Sequence, residues 1–232
     1  MLPIAFDLDG TLSDPASGIT TSINYALEQV GEPPRDPATL LQYIGPPLTK
    51  IFADLLLTRD RLAINEAIEH YRTRYRTVGY KENLLYDGIP DLLADLQVAG
   101  YRLYVATSKR SDIAALVIEH FNLTTYFEQV FGCGPNQQKR NLLTEILEIE
   151  SANTLLMIGD RSYDMSAAKQ ISAQSVGVLW GYGSRLELEE NGADTVVENT
   201  TELKKYIYES YPQVNPTGIV PVGPELDFDA DV

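Results

Sequence analysis

The chain has 232 residues, with 18 Lys and Arg against 33 Asp and Glu and a formal net charge of −15. This length suits one large domain, or one core with a smaller inserted unit, and suffices to bury a substantial core. The acidic balance argues against a nucleic-acid or anionic-membrane surface, so any phosphate site must carry its own local positive charge. A lone Cys133 excludes an internal disulfide. With no charged-then-apolar leader and no apolar run of about 18 residues, a cytoplasmic location with no membrane partner is expected.

In chain order, "PIAFDLD" begins as a strand. From Pro15 to Asn83 the periodicity is helical throughout: "GITTSINYALEQVG", "ATLLQYIG", "LTKIFADLLL" and "RLAINEAIEHYRTRYRTVG" follow one another with no strand between them. "DGIPDLLADLQVAG" reads as a helix with Pro90 in its first turn and Gly100 closing it. "YRLYVAT" is the next strand, "SDIAALVIEHF" a helix, "EQVFG" a short strand and "KRNLLTEILEIE" a helix. "NTLLMIGD" is a buried strand, "DMSAAKQ" starts a helix and "SAQSVGVLW" is a further strand. Ser184 and Glu187 have the spacing of a capping box for "RLELEENG", and "DTVV" with "TELKKYIYESY" supplies a last strand and helix. From Pro212 the sequence carries four prolines, four acids and no Lys or Arg, which marks residues 212–232 as an extended tail.

Alternating strands and helices imply an α/β fold with a Rossmann-like parallel sheet covered by helices on both faces. The helical run between the first and second strands predicts an inserted helical cap over residues 15–83, leaving a discontinuous core of residues 1–14 and 84–211. Ligands of such sheets bind beyond the carboxyl ends of the strands, where Asp7, Thr107 and Asp160 all fall.

Asp7 and Asp9 raise an electrostatic question. Two bare carboxylates this close repel, and one normally takes up a proton unless a cation intervenes or both face water. Taken singly, the pair, the strand-end Thr107, the helix-start Lys139 and the "GDRSYD" of Asp160 and Asp164 are each weak signals. Their joint order on the expected elements is specific. The sequence resembles the haloacid-dehalogenase superfamily, and within it the Mg²⁺-dependent, phosphoglycolate-phosphatase-like branch. "DLDGTLSD" is similar to the first motif, Thr107 the second, Lys139 the third and "GDRSYD" the fourth; "IGPPL", "LYDGIPDLLADL", "ATSK" and "VGVLWGYGS" are also similar. Lys109 and Lys169 compete with Lys139 for the third place.

The resemblance implies a phosphatase acting on small organic phosphates such as phosphoglycolate, nucleoside monophosphates or sugar phosphates. Asp7 would be the nucleophile of an aspartyl-phosphate route. Asp9 would protonate the leaving group and then activate water. Asp7, Asp160 and the backbone carbonyl of Asp9 would hold Mg²⁺, a hard cation suited to few carboxylates and several waters. Thr107, Ser108 and Lys139 would bind the phosphoryl group, with Asp164 in support. A sugar phosphomutase or a pyrophosphatase would keep the same core. A phospho-accepting receiver lacks a cap of this size, and an inactive binding module would be expected to have lost a motif residue.

Other residues carry competing readings. Arg72 and Arg76 share a helix face and either meet a substrate anion or face water. Tyr71 and Tyr75 read as cap packing, and Asp14 as a hinge acid or a substrate contact. Cys133, His70 and His120 show no catalytic or metal-ligand spacing. The glycines of "GCGPNQQ" and "GYGS" match neither dinucleotide nor P-loop patterns. The sequence does not disclose the oligomeric state.

Overall fold

The computed structural model describes residues 2–134 and 137–212; most of the expected tail lies outside them. A six-stranded, wholly parallel sheet forms the core, with strands in the order β5-β4-β1-β6-β7-β8. These are β1 (Ile4–Phe6), β4 (Leu103–Thr107), β5 (Gln129–Gly132), β6 (Leu156–Gly159), β7 (Gln174–Val178) and β8 (Thr195–Val197). Phe6 of β1 pairs with Val105 on one side and Ile158 on the other. Chain order reverses between β1 and β6, which opens a crevice at their carboxyl ends.

Helices α5 (Ile89–Val98), α6 (Ser111–His120), α7 (Lys139–Glu150), α8 (Ser162–Gln170), α9 (Arg185–Glu190) and α10 (Thr200–Ser210) cover the sheet. The strands read as continuous apolar runs because both faces are buried. Ile4, Phe6, Val105 and Ile158 pack in one cluster, and Ala5, Tyr104, Ala106 and Met157 in another across the sheet.

Between β1 and β4 the chain leaves the sheet through β2 (Ser13–Asp14) and returns through β3 (Leu84–Leu85). The two form a small antiparallel pair, Asp14 opposite Leu84, that periodicity did not foresee because each crossing is only two residues long. The intervening helices are α1 (Ala16–Gln29), the single turn α2 (Pro37–Leu40), α3 (Leu48–Leu55) and α4 (Arg61–Thr77). They bury an apolar cluster of their own, with Ile23, Leu27, Phe52, Ile68 and Tyr71 at its centre. No helix among the described residues is long and apolar enough to cross a membrane.

Candidate active site

Asp7 follows β1 directly, Thr107 is the last residue of β4, and Asp160 follows β6, so sheet register brings all three to one end. The packing there leaves no room for side chains at Gly10, Gly159, Gly181 and Gly183. A Cβ on Gly10, whose φ is +89°, would stand 2.1 Å from Asp160 Oδ2, and one on Gly159 would stand 2.3 Å from Asp164 Cγ. The "DG" and "GD" dipeptides are therefore steric requirements of the carboxylate cluster.

Asp7, Asp160 and Asp164 are buried, and one oxygen from each lies within 4.8 Å of the others. Asp160 Oδ2 accepts the Tyr182 N–H at 2.8 Å, while Oδ1 accepts the Thr11 hydroxyl at 3.4 Å. Asp164, in the first turn of α8, accepts the Arg161 N–H at 3.0 Å and also contacts Lys139 Nζ. Lys139 Nζ stands 2.9 Å from Asp7 Oδ1, without the alignment of a hydrogen bond. Lys139 opens α7 behind a reciprocal cap made by Gln138 and Asn141.

Asp9 has a different partner. Its Oδ2 lies 2.7 Å from Lys109 Nζ, and that ammonium also donates to the Tyr75 hydroxyl at 3.1 Å and sits 4.6 Å from the Tyr75 ring centre. The Lys109 N–H in turn donates to Thr107 Oγ1 at 3.2 Å. Ser108 is exposed beside them.

Burial dominates the electrostatics. It pushes the Asp9 carboxyl above its ordinary value despite the opposing Lys109 charge, and it raises Asp160 well above and Asp164 in the same direction, with neighbouring carboxylates adding to the effect. Burial alone would pull Lys109 and Lys139 down; the acids beside them more than offset it, and both are raised. The Cys133 thiol is pushed up, chiefly by burial, which disfavours a thiolate nucleophile.

The donor set fits a divalent cation. Three converging carboxylates are hard oxygen ligands, and the buried Asp7 Oδ1 and Asp9 Oδ1 have no hydrogen-bond partner among the described residues.

Several readings of the sequence change here. Of the competing lysines, Lys139 and Lys109 both enter the site, on different aspartates, whereas Lys169 is exposed at the far end of α8. Tyr75 packs in the insert, as its spacing suggested, but its hydroxyl also meets the site. Arg72 and Arg76 are exposed, and Arg72 pairs with Glu69 of its own helix at 2.6 Å. Asp14, just ahead of α1, accepts the Ala16 N–H at 2.8 Å and the Tyr182 hydroxyl. The Ser184–Glu187 capping box is only half made. Ser184 accepts the Glu187 N–H at 3.1 Å, but the Glu187 carboxylate turns instead to Arg161 and the Ser162 N–H. The sequence offers Lys109 only as a rival for the third motif, not as the partner of Asp9, and gives Tyr75 and Tyr182 no site role. For Lys109 the signal was its place two residues beyond a strand-end threonine.

Fold and site together define an α/β protein of Rossmann-like topology whose crevice pairs carboxylates with lysines. Residues 4–178 match the family model of the haloacid dehalogenase-like hydrolases, and the chain belongs to that family. It is 41% identical over 190 residues to a 5′-nucleotidase of Pseudomonas aeruginosa, covering 80% of this chain and 86% of the relative. It is 36% identical over 205 residues to the tyrosine-protein kinase PtkA of Mycobacterium tuberculosis, covering 86% of this chain and 69% of the relative. The crystal structure of a predicted phosphatase from Clostridium acetobutylicum superposes with a TM-score of 0.83 at 37% identity, covering 90% of this chain and 98% of that one. The protein is thus a phosphatase-type hydrolase of this family.

Proposed function

We propose that the protein is a Mg²⁺-dependent phosphatase of small organic phosphate monoesters, working through an aspartyl-phosphate on Asp7. The observation that carries this reading is the separate lysine beside each aspartate of the first motif, Lys139 at Asp7 and Lys109 at Asp9. In a chain of net charge −15, these lysines supply the local positive charge that a phosphate needs.

In the first half-reaction an Asp7 carboxylate oxygen attacks phosphorus and the bond to the leaving oxygen breaks. Asp9 donates its proton to that oxygen. In the second, Asp9 takes a proton from water, whose oxygen attacks phosphorus and releases phosphate with Asp7 restored. The raised affinity of Asp9 for a proton, which burial produces, favours the acid role. Lys139, beside Asp7, would face the phosphoryl oxygens with Thr107 and Ser108; Asp164 holds Lys139 in place. Asp7, Asp160 and the Asp9 carbonyl would hold Mg²⁺, which when bound offsets the negative charge of carboxylate and phosphate. The helical insert of residues 15–83 acts as the cap that selects the leaving group.

Among candidate substrates, nucleoside monophosphates stand first, because the Pseudomonas aeruginosa relative is named a 5′-nucleotidase. The relative named a tyrosine-protein kinase supports a second reading, phosphoryl transfer to a tyrosine hydroxyl. Phosphate release should be measured over nucleoside monophosphates, phosphoglycolate and sugar phosphates with and without Mg²⁺, alongside ATP with a tyrosine-containing protein. Mg²⁺-dependent release from a monoester supports the proposal. Transfer to tyrosine without monoester hydrolysis would replace it.

A further inference from the structure

Among the polar contacts of the described residues, two tie the insert to the elements around the acid cluster. One is Tyr75 of α4, through Lys109. The other is the backbone carbonyl of Ile44, in the loop between α2 and α3, which accepts from Arg161 Nη1 at 2.8 Å. Arg161 is the residue after Asp160, and the chemistry above leaves its side chain without a task. Its Nε donates to Glu187 Oε1 of α9 at 3.0 Å, and that oxygen also accepts the Ser162 N–H at 2.9 Å. The Arg161 N–H itself is bound to Asp164. One residue therefore joins the acid cluster by its backbone, α9 by one edge of its guanidinium and the insert by another.

We propose that Arg161 is a positioning residue that latches the loop of residues 44–47 against the core, holding the insert closed over the acid cluster. Its bearing on turnover rests on the phosphatase reading; the latch itself does not. A guanidinium is planar, and its Nε and Nη hydrogens point in fixed directions. Glu187 fixes the plane, so Nη1 is aimed before the insert arrives. A lysine ammonium at this position has no such fork and cannot hold both partners in one geometry. The loop comes down directly on the guanidinium: a Cβ on Gly45 would lie 3.5 Å from Nη1. The Arg161 side chain retains 21% exposure, so water can replace the Ile44 carbonyl when the insert lifts. The contact is thus reversible, unlike the buried apolar clusters on either side of it. Because substrate must be enclosed under the insert, apparent affinity scales with the closed fraction of the free protein.

The test compares Arg161→Lys, Arg161→Ala and Glu187→Gln with the wild type, each confirmed folded by circular dichroism. In substrate-free protein, amide hydrogen exchange in residues 41–50 should accelerate several-fold in both Arg161 variants and to a lesser degree in Glu187→Gln, with the sheet unchanged. With adenosine monophosphate, KM should rise roughly tenfold in the Arg161 variants while kcat stays within about threefold, the split expected from loss of a pre-closed state. Unchanged exchange in Arg161→Lys and Glu187→Gln overturns the latch, and so does a fall in kcat at constant KM. If Arg161→Ala fails to fold, the other two variants carry the test. If the wild type hydrolyses no monoester, the phosphatase reading fails while the exchange measurement still decides the latch.

Discussion

Lys109 Nζ lies 2.7 Å from Asp9 Oδ2, while the neighbouring acid of the motif, Asp7, is served by Lys139. Each carboxylate of the motif has its own lysine, one in the loop after β4 and the other at the start of α7. Substituting Lys109 with Met should leave Asp9 buried and unpaired and destabilise the protein by about 3 kcal/mol. Adding Asp9→Asn should recover much of that loss, because the orphaned charge is gone. Urea unfolding of both single variants and the double variant measures the coupling; additive losses would show that the pair is not the source.

Asp7→Asn should lower turnover by about 10³-fold or more, since the amide has no nucleophilic charge while its shape is kept. Asp9→Asn should behave differently, because Asp7 can still attack. In single-turnover bursts, an alkyl phosphate should lose roughly 10²–10⁴-fold in rate, and p-nitrophenyl phosphate, whose leaving group departs nearly unaided, far less. Equal losses on the two substrates would assign Asp9 to the metal or the fold.

Chelation with EDTA should abolish activity and Mg²⁺ should restore it, with Ca²⁺ a poor substitute because it prefers longer bonds and more ligands. Mg²⁺ should also raise the unfolding temperature, since it binds the folded carboxylate cluster and relieves repulsion among Asp7, Asp160 and Asp164. Asp160→Asn should remove that thermal shift. A shift of wild-type size in the variant would place the cation elsewhere.

Glu187 gives a pH prediction. Burial alone would raise its pKa, but the Ser162 N–H and Arg161 outweigh it and hold the carboxyl below its ordinary 4.5. A carboxyl lowered on folding contributes stability that is full above the unfolded value near 4.5 and is lost as pH falls through the folded value. Wild-type stability should therefore fall more steeply below pH of about 4.5 than that of Glu187→Gln. Parallel curves would mean that these contacts do not hold the carboxylate.

The sequence by itself determined the sheet, the helical insert and the acids of the crevice, because these rest on local physics. Apolar runs such as "LLMIG" mark strands buried on both faces, period-3.6 patterns mark helices, and a parallel sheet places strand-end residues at one edge whatever the details of packing. Asp7, Thr107 and Asp160 needed only that rule. The motif order pointed to Lys139 for Asp7, but the tertiary structure alone decided that a second cation, Lys109, meets Asp9. Lys109 lies in the loop before α6 and Lys139 opens α7, and only the paths of the chain around them put the first on Asp9 and the second on Asp7. The same holds for Tyr75, whose helical spacing signals burial but not the hydroxyl that meets Lys109, and for Glu187, which has the spacing of a local cap yet bonds Arg161 across the fold. Long side chains choose partners by proximity in space, and a contact spanning 26 residues, as Arg161 to Glu187 does, leaves no periodic trace in the chain.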